Sequence, residues 1–209
     1  FRAGRLGFSA KKIWIGFLGL LTGLAGYSIL SYIAFLTSGW KSQEIWRAYR
    51  YIPIPYPLDT VHLAPWGWVI WGVGSLFFGF VGLLALASIS KITFEQLRGD
   101  EFYEAKEAAR FALKNWKGVF LSPVTLLVFI GVLIFIGFVF GVWGRIPYFG
   151  QLFTGIFAIP IFAGALFCVY LMVVFAVSVV MAPAVVATTE SDTFDTLFET
   201  FSVINDQPW

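Results

Sequence analysis

The chain of 209 residues is 59% hydrophobic and 12% charged, with a formal net charge of +2. Ordinary soluble domains carry about 25% charged residues, and a core of this size cannot hide so much apolar surface, so lipid is the expected solvent for much of the chain. The small net charge excludes nucleic acid as an expected partner.

The chain opens on Phe1 and stops abruptly at Trp209, and further residues are expected beyond both ends. Arg2, Arg5, Lys11 and Lys12 precede the first apolar run, Ile13–Thr37. This run is too long for a signal-peptide core of about 7–15 residues, so it reads as a retained span. Within it Gly16, Gly19, Gly23 and Gly26 recur on one helical face. In lipid, small residues mark where helices approach closely.

The connection from Ser38 to Leu63 is longer than a simple link. Its Ile-Pro-Ile-Pro-Tyr-Pro stretch should be extended, because proline restrains itself and its predecessor. Trp40, Trp46, Tyr49, Tyr51 and Tyr56 fit an interfacial aromatic belt, joined by Trp66, Trp68 and Trp71. A ligand- or partner-recognition role is the rival reading of these aromatics. His62, the single histidine, reads as an interfacial polar residue, with an axial ligand to a haem or chlorin as the other option.

The second run, Ala64–Ile89, places Gly72, Ser75, Gly79 and Gly82 on one face at the spacings of the first run. The two faces are expected to cross on each other, with packing on another chain, a pigment or a lipid as the rival. Thr93–Gln96 matches a capping box that would start a short turn. After Gly99, Asp100 is the expected N-cap of an amphipathic helix with Phe102, Ala105, Ala109, Ala112, Leu113 and Trp116 on its apolar face.

The third run, Val119–Trp143, carries Gly137 and Gly141. A tight crossing at Gly144–Gly150 and a short interfacial piece over Gln151–Pro160 lead to the fourth run, Phe157–Ala182, which Pro183 should end or kink. A second polar helix follows. Phe194, Leu197, Phe198, Phe201 and Ile204 form its apolar stripe, opposed by Asp192, Asp195 and Glu199. It has no basic residue. Surface-lying helices usually present Lys or Arg to anionic lipid, so this one should dock on protein, and these residues are its candidate partner-binding set.

Asp100, Phe102 and Glu107 share the spacing of Asp192, Phe194 and Glu199. The expected architecture is therefore all-α: four transmembrane helices and two cytoplasmic amphipathic helices, with a possible two-fold repeat over residues 1–117 and 118–209. Ten Lys and Arg flank the N-terminal and middle polar segments, against four in the other two connections. The positive-inside rule then puts both ends of the chain in the cytoplasm.

The inventory for chemistry is poor. One histidine and one cysteine, Cys168, leave no parts for a triad, a zinc site or bis-histidine haem, so no catalytic residue, metal or cofactor is expected. Carboxylates lie outside the apolar runs, where ion and proton pathways would need them.

The pattern of spans alternating with polar helices resembles a broad group of bacterial inner-membrane proteins, including the membrane domains fused to some glycerophosphodiester phosphodiesterases. The likeness is carried by Asp100–Trp116 and Thr188–Phe201. It implies a helical membrane domain of bacterial type and transfers no catalytic residue, since phosphodiesterase chemistry there belongs to a separate soluble domain. The expected function is a non-catalytic accessory or scaffold subunit of a larger membrane complex, contacting lipids and other membrane subunits. An oligomeric transporter or channel for a neutral or lipidic solute is the alternative, and a membrane enzyme ranks last.

Overall fold

The computed structural model describes residues 9–55, 63–100 and 102–206. These residues are almost entirely helical, with four helices long and apolar enough to cross a membrane. They divide into two compact units, one ending at Lys114 and one beginning at Asn115.

In the first unit the long helices are α1 (Ala10–Thr37) and α3 (Pro65–Arg98), joined through the short α2 (Ser42–Tyr49). The two long helices run antiparallel in contact along most of their length. Gly16 lies against Ile89, Gly19 against Ala85, Gly23 against Phe78 and Gly74 against Leu30. At 1.5 Å per residue, the 34 residues of α3 extend roughly 50 Å. That exceeds the hydrocarbon layer, and the end carrying Lys91, Glu95 and Arg98 is the polar excess.

The stretch expected to start a separate turn at Thr93 is instead the last part of α3. Thr93 Oγ1 donates to the Ile89 carbonyl at 2.8 Å, so its hydroxyl serves the helix interior and not a cap. The helix stops at Gly99, whose φ of 104° is a left-handed conformation that side chains oppose. Asp100 then accepts from the Phe102 N–H at 3.1 Å and shapes a turn, and α4 (Ala105–Lys114) begins later than the sequence suggested. Its buried residues are Ala108 and Ala112. Phe102 is 87% exposed, and Ala109, Leu113 and Trp116 are exposed too, so the buried stripe is rotated from the expected one. Alanine occupies it because a small side chain allows a short helix to lie close on its neighbour.

The second unit opens with a π-helical turn (Lys117–Leu121) that continues into α5 (Ser122–Trp143). A short helix, α6 (Phe149–Ile156), precedes the long α7 (Ala158–Thr189), and α8 (Thr193–Asp206) follows it. Pro160 falls in the first turn of α7, where a missing N–H is harmless. Pro183 neither ends the helix nor marks its boundary. It is fully buried together with Ala182, Val186 and Ala187, and this continued packing carries α7 on to Thr189.

The core of this unit is Leu126, Ile130, Leu171 and Val174, with Leu133, Phe175, Leu197 and Phe201 packed against it. At the polar-helix end, Gly118 lets the π-turn approach closely, since a Cβ there would lie 2.9 Å from the Ser191 carbonyl and 3.2 Å from Val186.

Candidate functional site

Three surfaces collect the residues singled out by sequence. In the first unit the glycine faces turn out asymmetric. The α1 glycines face α3: a Cβ on Gly19 would sit 2.5 Å from that of Ala85, and one on Gly23 would sit 3.0 Å from the Phe78 ring. Gly26 faces the ring of Phe77 in the same way. On α3, by contrast, a Cβ at Gly72, Gly79 or Gly82 meets nothing within 4 Å, and Ser75 donates to its own helix at the Trp71 carbonyl. The close approach on the α3 side is made by Gly67 and Gly74, beside Ala34 and Leu30. At about 100° per residue, the Gly72–Gly79–Gly82 face lies roughly a quarter turn from the face that meets α1. Glycine spacing alone identified both sets and could not tell which one met the partner span.

Several of the aromatics after α1 pack on one another and on the long helices. Phe35, Ile45 and Leu63 are buried together, with Tyr32, Trp40 and Tyr49 around them. Trp40 meets Phe35 edge-on at 5.6 Å and Tyr49 lies 5.2 Å from it. The Trp71 indole N–H donates to the Tyr27 hydroxyl at 2.9 Å, and Tyr27 donates to the Pro53 carbonyl at 3.2 Å. Tyr32 donates to the Arg50 carbonyl. Ser38 donates to the Ala34 carbonyl at 2.8 Å and accepts from the Ala64 N–H at 3.1 Å. The segment is thereby tied to both long helices, while Trp46, Tyr51 and Trp66 remain exposed. The helix α2 within it was missed. Its signals were Ile45 and Tyr49, four residues apart on the packed side, and the charges at its ends, Glu44 in the first turn, which accepts from the Lys41 N–H at 3.2 Å, and Arg47 in the last. Tyr56 and His62 lie outside the described residues.

At the opposite end of this unit Lys91 is buried, forms an ion pair with Glu95 at 3.2 Å, and sits 4.4 Å from the Phe111 ring centre and 5.5 Å from that of Phe94. Arg98 covers the same Phe94 ring at 4.8 Å. An ammonium so enclosed is stabilised by the carboxylate and the ring faces together, and the arrangement fastens α4 to α3.

In the second unit the proposed partner-binding stripe of α8 is split. Leu197 and Phe201 join the core, whereas Phe194 and Phe198 are 69% and 67% exposed. Asp192 and Asp195 are exposed and Glu199 is half-buried. With Glu190 they border an open hollow of about 550 Å³ at the turn between α7 and α8. Thr196 and Thr200 are fully buried and donate to carbonyls of their own helix, at Asp192 (2.8 Å) and Thr196 (2.7 Å). Among the described residues no three His, Cys, Asp or Glu side chains converge as a metal site would require. Cys168 is half-buried on α7 and lines an apolar cleft facing α5.

Comparison with protein-family models, with curated proteins and with solved structures finds no match for this chain.

Proposed function

We propose that this chain is a non-catalytic accessory or scaffold subunit of a larger complex in a bacterial inner membrane. In this reading α4, α8 and both ends of the described chain face the cytoplasm. The excess of Lys and Arg at the N-terminal flank and around α4 supports that orientation.

The observation that carries the reading is the bare face of α3. Each glycine in a helix interior costs about 1 kcal/mol relative to alanine. Gly19, Gly23 and Gly74 recover that cost in close contact between α1 and α3, but Gly72, Gly79 and Gly82 meet nothing within 4 Å of where their Cβ would be. A small-residue face of this kind suits a closely packed helix from another subunit. The exposed Phe194 and Phe198, set among Asp192 and Asp195, supply a second contact of the apolar-acidic kind that favours protein over anionic lipid. A common origin of the two units by duplication fits the shared spacing of Asp100, Phe102 and Glu107 with Asp192, Phe194 and Glu199.

The test is purification in mild detergent followed by mass spectrometry. Stoichiometric membrane partners are expected, and Gly79→Leu should release them while leaving the chain folded. A lone homo-oligomer that conducts a neutral solute in liposomes would replace this reading with the transporter.

A further inference from the structure

The helices α5 and α7 are antiparallel and close at one end only. Gly118 opposes Val186, and Leu126 and Ile130 cluster with Leu171 and Val174. Toward the α6 end the same register continues through Leu133, Gly137 and Phe140 on α5 and Ile161, Gly164 and Cys168 on α7, but these residues line an open cleft of about 480 Å³. A Cβ at Gly137 or Gly164 would meet nothing within 4 Å, so no side chain of this unit fills the space. Apart from the Cys168 sulfur, the side chains named here present only hydrocarbon.

We propose that this cleft holds one acyl chain of an anionic phospholipid. The walls belong to the apolar middle and α6-end portions of two membrane-spanning helices, where water finds no polar partners. A protein helix is too bulky. At a diameter of about 10 Å, three turns of one enclose on the order of 1,200 Å³. An unbranched, flexible hydrocarbon chain matches both the narrow section and the composition.

The mouth of the cleft selects the rest of the molecule. Phe153 of α6 stacks on Phe140 at 6.0 Å and meets Phe157 at 4.5 Å. Phe140 and Phe157 line the cleft, and Phe153 lines a second apolar hollow, of about 310 Å³, with Trp143 and Ile146. Between those two residues in sequence lies Arg145, which is exposed and is the basic residue of this turn. Its N–H donates to the Val142 carbonyl at 3.1 Å, so Arg145 continues the turn just beyond Phe140, and a guanidinium at that end of the span is complementary to a phosphate headgroup carrying net negative charge. The site lies wholly within the second unit and does not depend on the scaffold reading.

The test uses the full chain in liposomes of phosphatidylcholine with a trace of phosphatidylglycerol bearing a mid-chain photoreactive diazirine. Photolysis and peptide mass spectrometry should find label concentrated on Leu133–Phe140 and Ile161–Cys168, in several-fold excess over the lipid-facing residues of α1. Unlabelled phosphatidylglycerol should compete for that excess better than phosphatidylcholine does. Gly137→Leu with Gly164→Leu should fill the cleft and abolish the excess without loss of helicity, and Arg145→Gln should equalise the two competitors. Label spread evenly over all spans, equal competition on the unaltered chain, or an excess that survives the two leucines would overturn the proposal. So would an oxidative Cys168–Cys168 cross-link between copies, which would put a second chain in the cleft.

Discussion

The backbones of α1 and α3 approach so closely at Gly19 and Ala85 that a Cβ on Gly19 would lie 2.5 Å from that of Ala85. Two real Cβ atoms cannot share that distance, so the helices must separate if either position grows. Gly19→Leu should therefore destabilise the first unit by at least about 1–3 kcal/mol, the usual range for overpacking. Unfolding in mixed SDS micelles measures it. Gly82→Leu, on the bare flank of α3, should leave the same midpoint nearly unchanged, and equal losses for the two variants would contradict the packing described.

This pair also shows how far the sequence alone could be read. The four long helices were legible because some 20 apolar residues in a row admit few other folds. The helix ends were not, because an apolar count detects the lipid layer and not the helix. The apolar run ends at Ile89 and the capping-box pattern suggests a new turn at Thr93, yet α3 continues through Lys91 and Glu95 by more than two turns. Glycine spacing located the contact face on α1, but on α3 the contacting glycines, Gly67 and Gly74, lay off the regular series. The stripe of α8 was legible as a pattern. Which of its phenylalanines faced the core depended on where α5 and α7 stood, and no local signal carries that.

The hydrogen-bonded path from Trp71 through Tyr27 to Pro53 ties the segment after α1 to both long helices. Tyr27→Phe keeps the ring, which lies 6.4 Å from that of Phe78, and removes both bonds. The expected cost is about 1–2 kcal/mol, since the Trp71 N–H and the Pro53 carbonyl each lose a partner. Limited proteolysis should then cut near Arg50 faster than in the unaltered chain. An unchanged cleavage rate would show that the aromatic cluster around Phe35 suffices to hold the segment.

Lys91 offers a graded test at the other end of this unit. Phe111→Leu removes the ring 4.4 Å from its ammonium while keeping an apolar side chain, and should cost about 1–2 kcal/mol. Glu95→Gln removes the opposite charge at 3.2 Å and leaves a buried cation, so it should cost more, on the order of 3 kcal/mol. The combination Lys91→Met with Glu95→Gln should recover much of that loss, because no uncompensated charge remains. The order of the three unfolding midpoints is the readout. A double variant no more stable than Glu95→Gln would show that the carboxylate has a purpose beyond balancing Lys91.

The stripe of α8 is divided between packed residues, Leu197 and Phe201, and exposed ones, Phe194 and Phe198, to which the proposed function gives a recognition role. Leu197 and Phe201 rest on the core formed by Leu126, Ile130, Leu171 and Val174. Leu197→Ser or Phe201→Ser should therefore release α8 and lower stability by about 2–4 kcal/mol, through lost burial and an added hydroxyl. Phe194 and Phe198 are exposed, so Phe194→Ser with Phe198→Ser should leave the unfolding midpoint of the isolated chain in place. The same pair of changes should reduce recovery of partner subunits, as should reversing the charges of Asp192, Asp195 and Glu199. Co-purification and unfolding measured on one set of variants distinguish the two roles. If the phenylalanine pair lowers stability as much as Phe201→Ser does, α8 is a structural prop and its exposed face has no recognition role. If it changes neither property, the face is in contact with lipid alone.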